Sequence, residues 1–531
     1  MNREYEAIVV GGGLAGLTSA AYLSRYGYRT LLCEKRRKTG GLVSTFWHQG
    51  FAFDAGIRAF ENSGIILPML KNLGIEMEFA SNPVSIGIEN KWVTLDSRKS
   101  LPDYASMLTA LFPNNAQDIA LIALEIKKVM SYMEVLYGID NPLFLEDMPS
   151  LEYLTKTLFP WLIKYQVNIR KASRLDEPIY AYLRRFTENE SLIDIIAQHF
   201  FKSTPSFFAL SYFGLYLDYS YPIGGTGVLA EKMTEYIRLA GGEILTEATV
   251  IQVDNQKHQI ELAGNETYNY KKLIWAADQK TLYNNMSGIK TPDVAKQCLL
   301  TEQSNGGDSI LTLFMGVTLD KNYFEDRCGA HSFYTPKTNG LSSLPDWRDA
   351  ASRGYGALFN WVGAYLQLTT YEISCPALRD LSLAPEGKTG IIVSTLIDYS
   401  LVRFISDSGE YEPFKQFCSD KIAAVLETSI FENIRENILF TLCATPLTIE
   451  RETGNTQGAI TGWAFTNDNM PAENRFKKIA KSVNTPMKDI IQCGQWTFSP
   501  SGLPVSILTG KLAADAVRKT LKGIHHDCNS N

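Results

Sequence analysis

An unbroken apolar run at residues 7–10 leads straight into Gly11-Gly12-Gly13-Leu14-Ala15-Gly16, and a second run, 28–33, closes on Glu34 eighteen positions after Gly16. A continuous apolar run is what a central parallel strand needs when both its faces are covered, and Leu14, Leu17 and Ala21 then take up helical spacing. Gly11 permits a tight strand-to-helix turn, Gly13 lets backbone amides approach a pyrophosphate, and Gly16 lets helix and strand pack closely. The pyrophosphate would face a helix N-terminus, with Leu14 and Ala15 in its first turn, where free N–H groups and the helix dipole favour an anion. Glu34 can accept from both ribose hydroxyls, and its charge would repel a 2′-phosphate, so NADP is disfavoured. A glycine-rich turn alone is a weak signal. Strand, glycines, helix, Gly27, strand and terminal acid in this order specify a dinucleotide site.

The residues after Glu34 narrow the dinucleotide. Lys35-Arg36-Arg37-Lys38 precedes Gly40-Gly41-Leu42, and then comes Phe51-Ala52-Phe53-Asp54-Ala55-Gly56. This N-terminal pattern resembles the FAD-dependent amine-oxidase-type proteins and, more closely, the phytoene desaturase, carotenoid isomerase and retinol saturase family. The resemblance implies FAD, with Gly41, Leu42, Asp54 and Gly56 along the flavin and one of the basic run, Lys35, at the ribose or phosphates. Such a basic run is otherwise an ordinary solvated loop. Later segments extend the likeness. Tyr221-Pro222-Ile223-Gly224-Gly225 with the following helix and Thr249-Val250-Ile251 is similar to the stretch that returns to the FAD domain, where the residue at Val250 would meet adenine through its backbone. Leu273-Ile274-Trp275-Ala276-Ala277-Asp278 resembles a further strand of that domain. Residues 490–495 and 501–504, followed by a helix over 506–516, resemble its closing strand, flavin-facing turn and helix, which implies cofactor contacts at Gly494, Gln495, Leu503 and Pro504. Two positions depart from the family. Gln495 stands where an acid often binds the ribityl chain. Arg58 stands where small or uncharged residues are commoner; it reads either as a cation beside the flavin or oxygen-bearing substrate, or as a salt-bridged interface residue.

The organisation expected from these positions is α/β: a Rossmann-type FAD-binding domain assembled from the discontinuous segments 1–75, 220–300 and 480–520, with an inserted α+β substrate domain from 76–219 and 301–479 and a flexible tail at 521–531. Within the insertions the pattern predicts strands at 83–88, 92–95, 309–317 and 390–397, and helices at 116–137 and 413–426. Gly225-Thr226-Gly227-Val228-Leu229-Ala230 also fits a dinucleotide fingerprint, but Pro222 argues against a central parallel strand before it, and no clean acid closes the next strand. A chain of 531 residues has ample interior for two domains. A net charge of −6 with no basic stripe argues against nucleic acid. Eight scattered cysteines without C-x-x-C or paired-histidine spacing indicate neither a disulfide framework nor a metal site, as suits a reducing compartment. The first strand starts close to Met1, so a cytoplasmic location is the expectation.

Chemistry is expected from the flavin, because no nucleophile elbow or metal-binding helix motif is present. The weak side-chain candidates for catalysis are Arg58 and His199, the latter beside Phe200-Phe201. The stretch 206–217 carries twelve uncharged residues, and 158–163 is similarly oily. Core packing is the ordinary explanation of such stripes; a lipophilic tunnel or a surface resting on a membrane are the others, and the resemblance favours these. The resemblance implies an FAD oxidoreductase acting on carbon–carbon bonds of a long apolar polyene or isoprenoid, by desaturation, saturation or redox-neutral isomerisation, with a small lipophilic substrate and peripheral membrane contact. Two other readings stand beside it: an amine-oxidase-like flavoenzyme, with Trp496 as one wall of an aromatic cage, and a non-catalytic prenyl-binding relative like the Rab GDP-dissociation inhibitors, whose nucleotide glycines are degraded where Gly11, Gly13 and Gly16 here are intact.

Overall fold

The computed structural model describes residues 3–61, 64–145 and 151–528. Residues 7–10 form the buried end of the strand Glu4–Val10, which lies between parallel neighbours Thr30–Cys33 and Thr267–Trp275. Glu243–Leu245 extends the parallel set on one side, and Ile490–Gln492 pairs with the second half of Thr267–Trp275 on the other. The first half of that strand takes an antiparallel partner instead, Gln259–Leu262, which continues to Val250–Asp254. In register, Val10 lies beside Cys33 and Trp275, and Trp275 beside Gln492, so four parallel strands finish at one level. Open α/β sheets place their ligands outside such carboxyl ends.

Three helices cover one face of this sheet through a shared apolar core: Leu14–Arg25, Val228–Leu239 and the closing helix Leu503–Cys528. The first and last approach closely, because Gly510 leaves room for the Ala15 carbonyl and its own carbonyl accepts from Ser19 Oγ at 2.9 Å. The last helix continues through the segment expected to be a flexible tail as far as Cys528; residues 529–531 lie outside the described residues.

The second sheet has seven strands, in the order Ile438–Ala444, Ser309–Val317, Thr389–Ile397, Tyr371–Ser374, His331–Thr335, Val84–Ile88 and Lys91–Leu95. Strands from two distant stretches of chain meet here, His331–Thr335 pairing in parallel with Val84–Ile88. Helices Tyr355–Leu368 and Tyr411–Ser429 pack their apolar stripes on one face of it, and the helix Ala116–Tyr137 joins Ser206–Tyr216 in a further core at its other end. A small antiparallel sheet, Phe60–Glu61, Tyr219–Pro222 and Phe79–Ser81, lies where the chain crosses between the two large ones.

The 225–230 glycines are a packing device rather than a second nucleotide turn. A Cβ on Gly225 would stand 2.6 Å from Thr45 Oγ1, so the glycine lets this loop close onto the hairpin Thr45–His48/Phe51–Asp54. Tyr219–Pro222, the strand before the motif, pairs only in the small antiparallel sheet.

Candidate active site

A cavity of about 750 Å³ opens at the level where the parallel strands end and runs into the space beneath the second sheet. At its nucleotide end it is walled by Gly11, Gly13, Leu14, Ala15, Glu34, Gly41, Leu42, Gly56, Gly494, Gln495, Leu503 and Pro504. Gly11 takes φ +104°, and any Cβ there would meet the Ala276 carbonyl oxygen at 2.7 Å, so the turn requires glycine. A Cβ on Gly13 would meet nothing within 4 Å; it would point into the cavity. Gly13 caps the helix with no side-chain hydrogen bond, and no acid stands in the first turn, so the leading N–H groups of the helix face this space. Glu34 is buried, with Oε2 accepting from Gly12 N at 2.6 Å and Oε1 from Arg36 N at 2.9 Å. These bonds hold the carboxylate against the cavity, and each oxygen keeps a lone pair for a ribose hydroxyl. Open cradle, orphaned donors and oriented acid together fit the diphosphate and ribose of FAD. Bound there, FAD supplies two-electron hydride chemistry, while the protein supplies position and electrostatics.

Four residues expected against the cofactor do not line the cavity. Lys35 turns away, its Nζ donating to the Arg451 carbonyl at 3.2 Å, and Arg36 stands on the wall instead. Val250 opens its strand as a buried residue, its carbonyl accepting from Asn285 at 3.3 Å. Asp54 is fully buried and its carboxylate is occupied by the protein: Oδ1 accepts from Thr226 N (2.8 Å), Thr226 Oγ1 (2.9 Å) and Thr45 Oγ1 (2.8 Å), and Oδ2 from Tyr221 OH (2.7 Å). Asp54 therefore ties together the hairpin and the 219–227 segment behind the cavity wall. Gly16 also stands off the cavity, lying beneath the turn, where a Cβ would collide with the Gly11 carbonyl.

Arg58 and His199 both face the cavity. The Arg58 guanidinium is 2% exposed and bridges the two halves of the wall: it donates to the Asp54 carbonyl at 2.7 Å, to the Gly56 carbonyl, and to Ser394 Oγ at 3.1 Å. Its Nε has no partner, and no ion pair holds it among the described residues. Burial pulls its pKa down, opposed by the charges of Glu372 and Asp54. The interface reading thus stands without its salt bridge. His199 lies among Phe200 and Phe333 rings, with centroids 3.9 and 5.4 Å away, and burial lowers its pKa to about 4. At neutral pH it is an uncharged wall.

A polar group that sequence reasoning missed completes the site. Across the second sheet the register aligns Phe333 with Glu372, Glu372 with Ser394, and Ser394 with Thr312. Glu372 Oε1 lies 3.0 Å from His331 Nε2, and His331 Nδ1 lies 3.2 Å from Asn82 Nδ2, while Asn82 Oδ1 accepts from Arg379 at 2.8 Å. Arginine can only donate, which fixes the Asn82 amide; Asn82 then donates to Nδ1, and Nε2 must carry the hydrogen given to Glu372. Burial keeps His331 neutral by lowering its pKa, with Glu372 opposing. Burial pushes the Glu372 carboxyl up, but the His331 bond and the Arg58 and Arg379 charges outweigh it and hold the pKa below the ordinary carboxylate value. The signal in sequence was one acid in an apolar alternation: Tyr371 and Ile373 enter the core, and Glu372 points the other way.

The oily segments divide between roles. Phe200, Phe201, Phe207, Phe208, Tyr212 and Tyr216 line the cavity, as does Trp161, whereas Phe159, Leu162, Ile163 and Val167 of the helix Phe159–Ala172 are 42–64% exposed. Trp496 reaches the cavity wall but packs edge-on against buried Trp463, centroids 4.8 Å apart.

Comparison with known proteins agrees with this geometry. Residues 9–73 match the NAD(P)-binding Rossmann-like domain. The chain is similar to the chloroplastic prolycopene isomerase of Daucus carota (25% identical, covering 98% of this chain and 81% of that one), to the all-trans-retinol 13,14-reductase of Danio rerio (23%, 93% and 82%) and to the lycopene-forming phytoene desaturase of Pseudescherichia vulneris (22%, 97% and 100%). Among solved structures it resembles an oxidoreductase from Methanosarcina mazei (TM-score 0.61, 14% identical, 97% and 99% covered) and putrescine oxidase bound to putrescine (TM-score 0.60, 13%, 98% and 100%), a likeness of fold. Fold and site together define a Rossmann-type flavoenzyme, an oxidoreductase that uses FAD. Within that class the chain is similar to carotenoid isomerases, carotenoid desaturases and retinol 13,14-reductases.

Proposed function

We propose that this protein transfers hydride between bound FAD and a carbon–carbon bond of a long apolar polyene or isoprenoid chain. The observation that carries the reading is the continuity of one cavity from the diphosphate turn at Gly11 and Gly13 to an interior walled by Phe201, Phe207, Phe208 and Tyr212. A wall of that composition desolvates an apolar chain and excludes the water that would intercept a reactive carbon. The names of the relatives support the same substrate class, since each contains a polyene or its saturated precursor. An amine reading is less well supported: Trp496 is packed against Trp463 rather than facing a second ring across the cavity, and Arg58 puts a cation on the wall. A lipophile of this kind reaches the cavity from a bilayer, and the helix Phe159–Ala172 has the features for that contact. Its outer residues are exposed and apolar, its inner residues Trp161, Tyr165 and Ile169 line the cavity, and exposed Lys156, Lys164, Arg170 and Lys171 flank it.

The experiment is a product analysis. FAD-loaded protein is incubated with phytoene, lycopene or all-trans-retinol in vesicles and, separately, with putrescine. A polyene whose mass changes by two hydrogens supports the reading; one that changes isomer at constant mass keeps the substrate class but replaces net hydride transfer with redox-neutral isomerisation. Unchanged polyenes beside an aldehyde formed from putrescine would transfer the protein to the amine-oxidising class.

A further inference from the structure

Glu372 stands on the cavity wall with one oxygen committed and the other open. One oxygen is fixed by the neutral His331, itself oriented by Asn82 and Arg379. The other oxygen has no hydrogen-bond partner among the described residues, and the 30% of the side chain that stays accessible opens onto the cavity. Strand pairing at this position uses only the backbone, and the carboxylate, besides accepting from His331 and offsetting the buried Arg58, faces the cavity. The groups that face it are His331 and Arg379 from its own sheet region, Arg58 from the nucleotide side, His199 and Tyr216 from the helical side and Tyr219 from the small antiparallel sheet. Two of these are cations, which keep the carboxylate ionised and would repel an ammonium group.

We propose that Glu372 is the proton-transfer residue of the cavity. The inference rests on the carbon–carbon chemistry proposed above. When a C–C bond becomes C=C it loses two hydrogens: one leaves as hydride, its electron pair reducing the bound flavin, and the other leaves the adjacent carbon as a proton taken by the free oxygen of Glu372. In the saturating direction the protonated Glu372 returns that proton while hydride comes from reduced flavin. His331 and Asn82 are positioning residues, since they act through Glu372.

The test uses holoprotein and vesicle-borne phytoene, lycopene or all-trans-retinol, whichever the wild type converts. Glu372→Gln keeps the shape and removes the acceptor. The expected result is a fall in kcat of about 100-fold or more, with FAD content and the polyene dissociation constant of the oxidised protein changed less than twofold. Glu372→Ala should be equally slow and regain rate when formate is added, which a purely structural residue would not show. If either variant emerges without flavin, Glu372→Asp decides: it preserves the charge beside Arg58 and Arg379 but withdraws the oxygen, and must also be slow. Wild-type turnover in Glu372→Gln or Glu372→Asp overturns the proposal while leaving the proposed function intact. A wild type that oxidises putrescine and converts no polyene ends the underlying reading, and is told apart because no variant is needed to see it.

Discussion

Carboxylates at three positions meet three different fates. Glu34 is held for a ligand by two backbone N–H groups, Asp54 is consumed by four hydrogen bonds from the protein, and Glu61 faces the cavity where burial pushes its pKa to about 7. The last has a consequence for stability. Because the folded-state pKa of Glu61 exceeds its ordinary value of 4.5, its charged form is penalised only in the folded protein. The penalty is absent below pH 4.5, grows as pH rises through 7, and is complete above it, at about 3 kcal/mol. Glu61→Gln should therefore unfold with wild-type stability near pH 4.5 and be more stable above pH 7.5 by up to about 3 kcal/mol, measured by chemical denaturation of the flavin-free protein. Parallel stability curves would show that Glu61 is solvated.

At the scale of elements, what could be read from sequence was whatever depends on neighbours in the chain. The strand Glu4–Val10, the glycine turn and the helix Ala116–Tyr137 are set by local periodicity and by φ values only glycine takes easily, and they stand where the pattern puts them. Glu372 could not be found that way, because its role comes from Phe333 and Ser394 on neighbouring strands and from Asn82, 290 positions earlier. The side-chain partners of Lys35 and Asp54 could not be read either, because Arg451, Tyr221 and Thr226 are distant in sequence. The oily run 206–217 is a helix, Ser206–Tyr216, with apolar residues all round, so periodicity could not tell which side faces a cavity. The helix Phe159–Ala172 carries the prediction at this scale. Phe159→Glu combined with Ile163→Glu should lower binding to phosphatidylglycerol-containing vesicles at least 10-fold in flotation, because each apolar side chain contributes about 1.5–3 kcal/mol when buried. FAD content should not change. Equal flotation of variant and wild type would remove this helix from the membrane contact.

For the molecule as a whole, two sheets built from interleaved stretches of chain share one cavity, and both ends of the chain contribute to the nucleotide side of it. Among the described residues no helix is long and apolar enough to cross a membrane. The cavity joins the diphosphate cradle to a wall rich in aromatic rings and carries Arg58 and Glu372 among its lining residues; under the function proposed above, such a space would let a flavin exchange hydride with a hydrocarbon away from water.

The most direct measurement is the absorbance of the bound flavin under anaerobic conditions after a single addition of ligand. Oxidised holoprotein mixed with phytoene, or reduced holoprotein mixed with lycopene or all-trans-retinol, should show its flavin band bleach or return in a single turnover, while putrescine leaves it unchanged. A flavin that answers to putrescine and ignores every polyene, or a protein that takes up no FAD, would contradict the account.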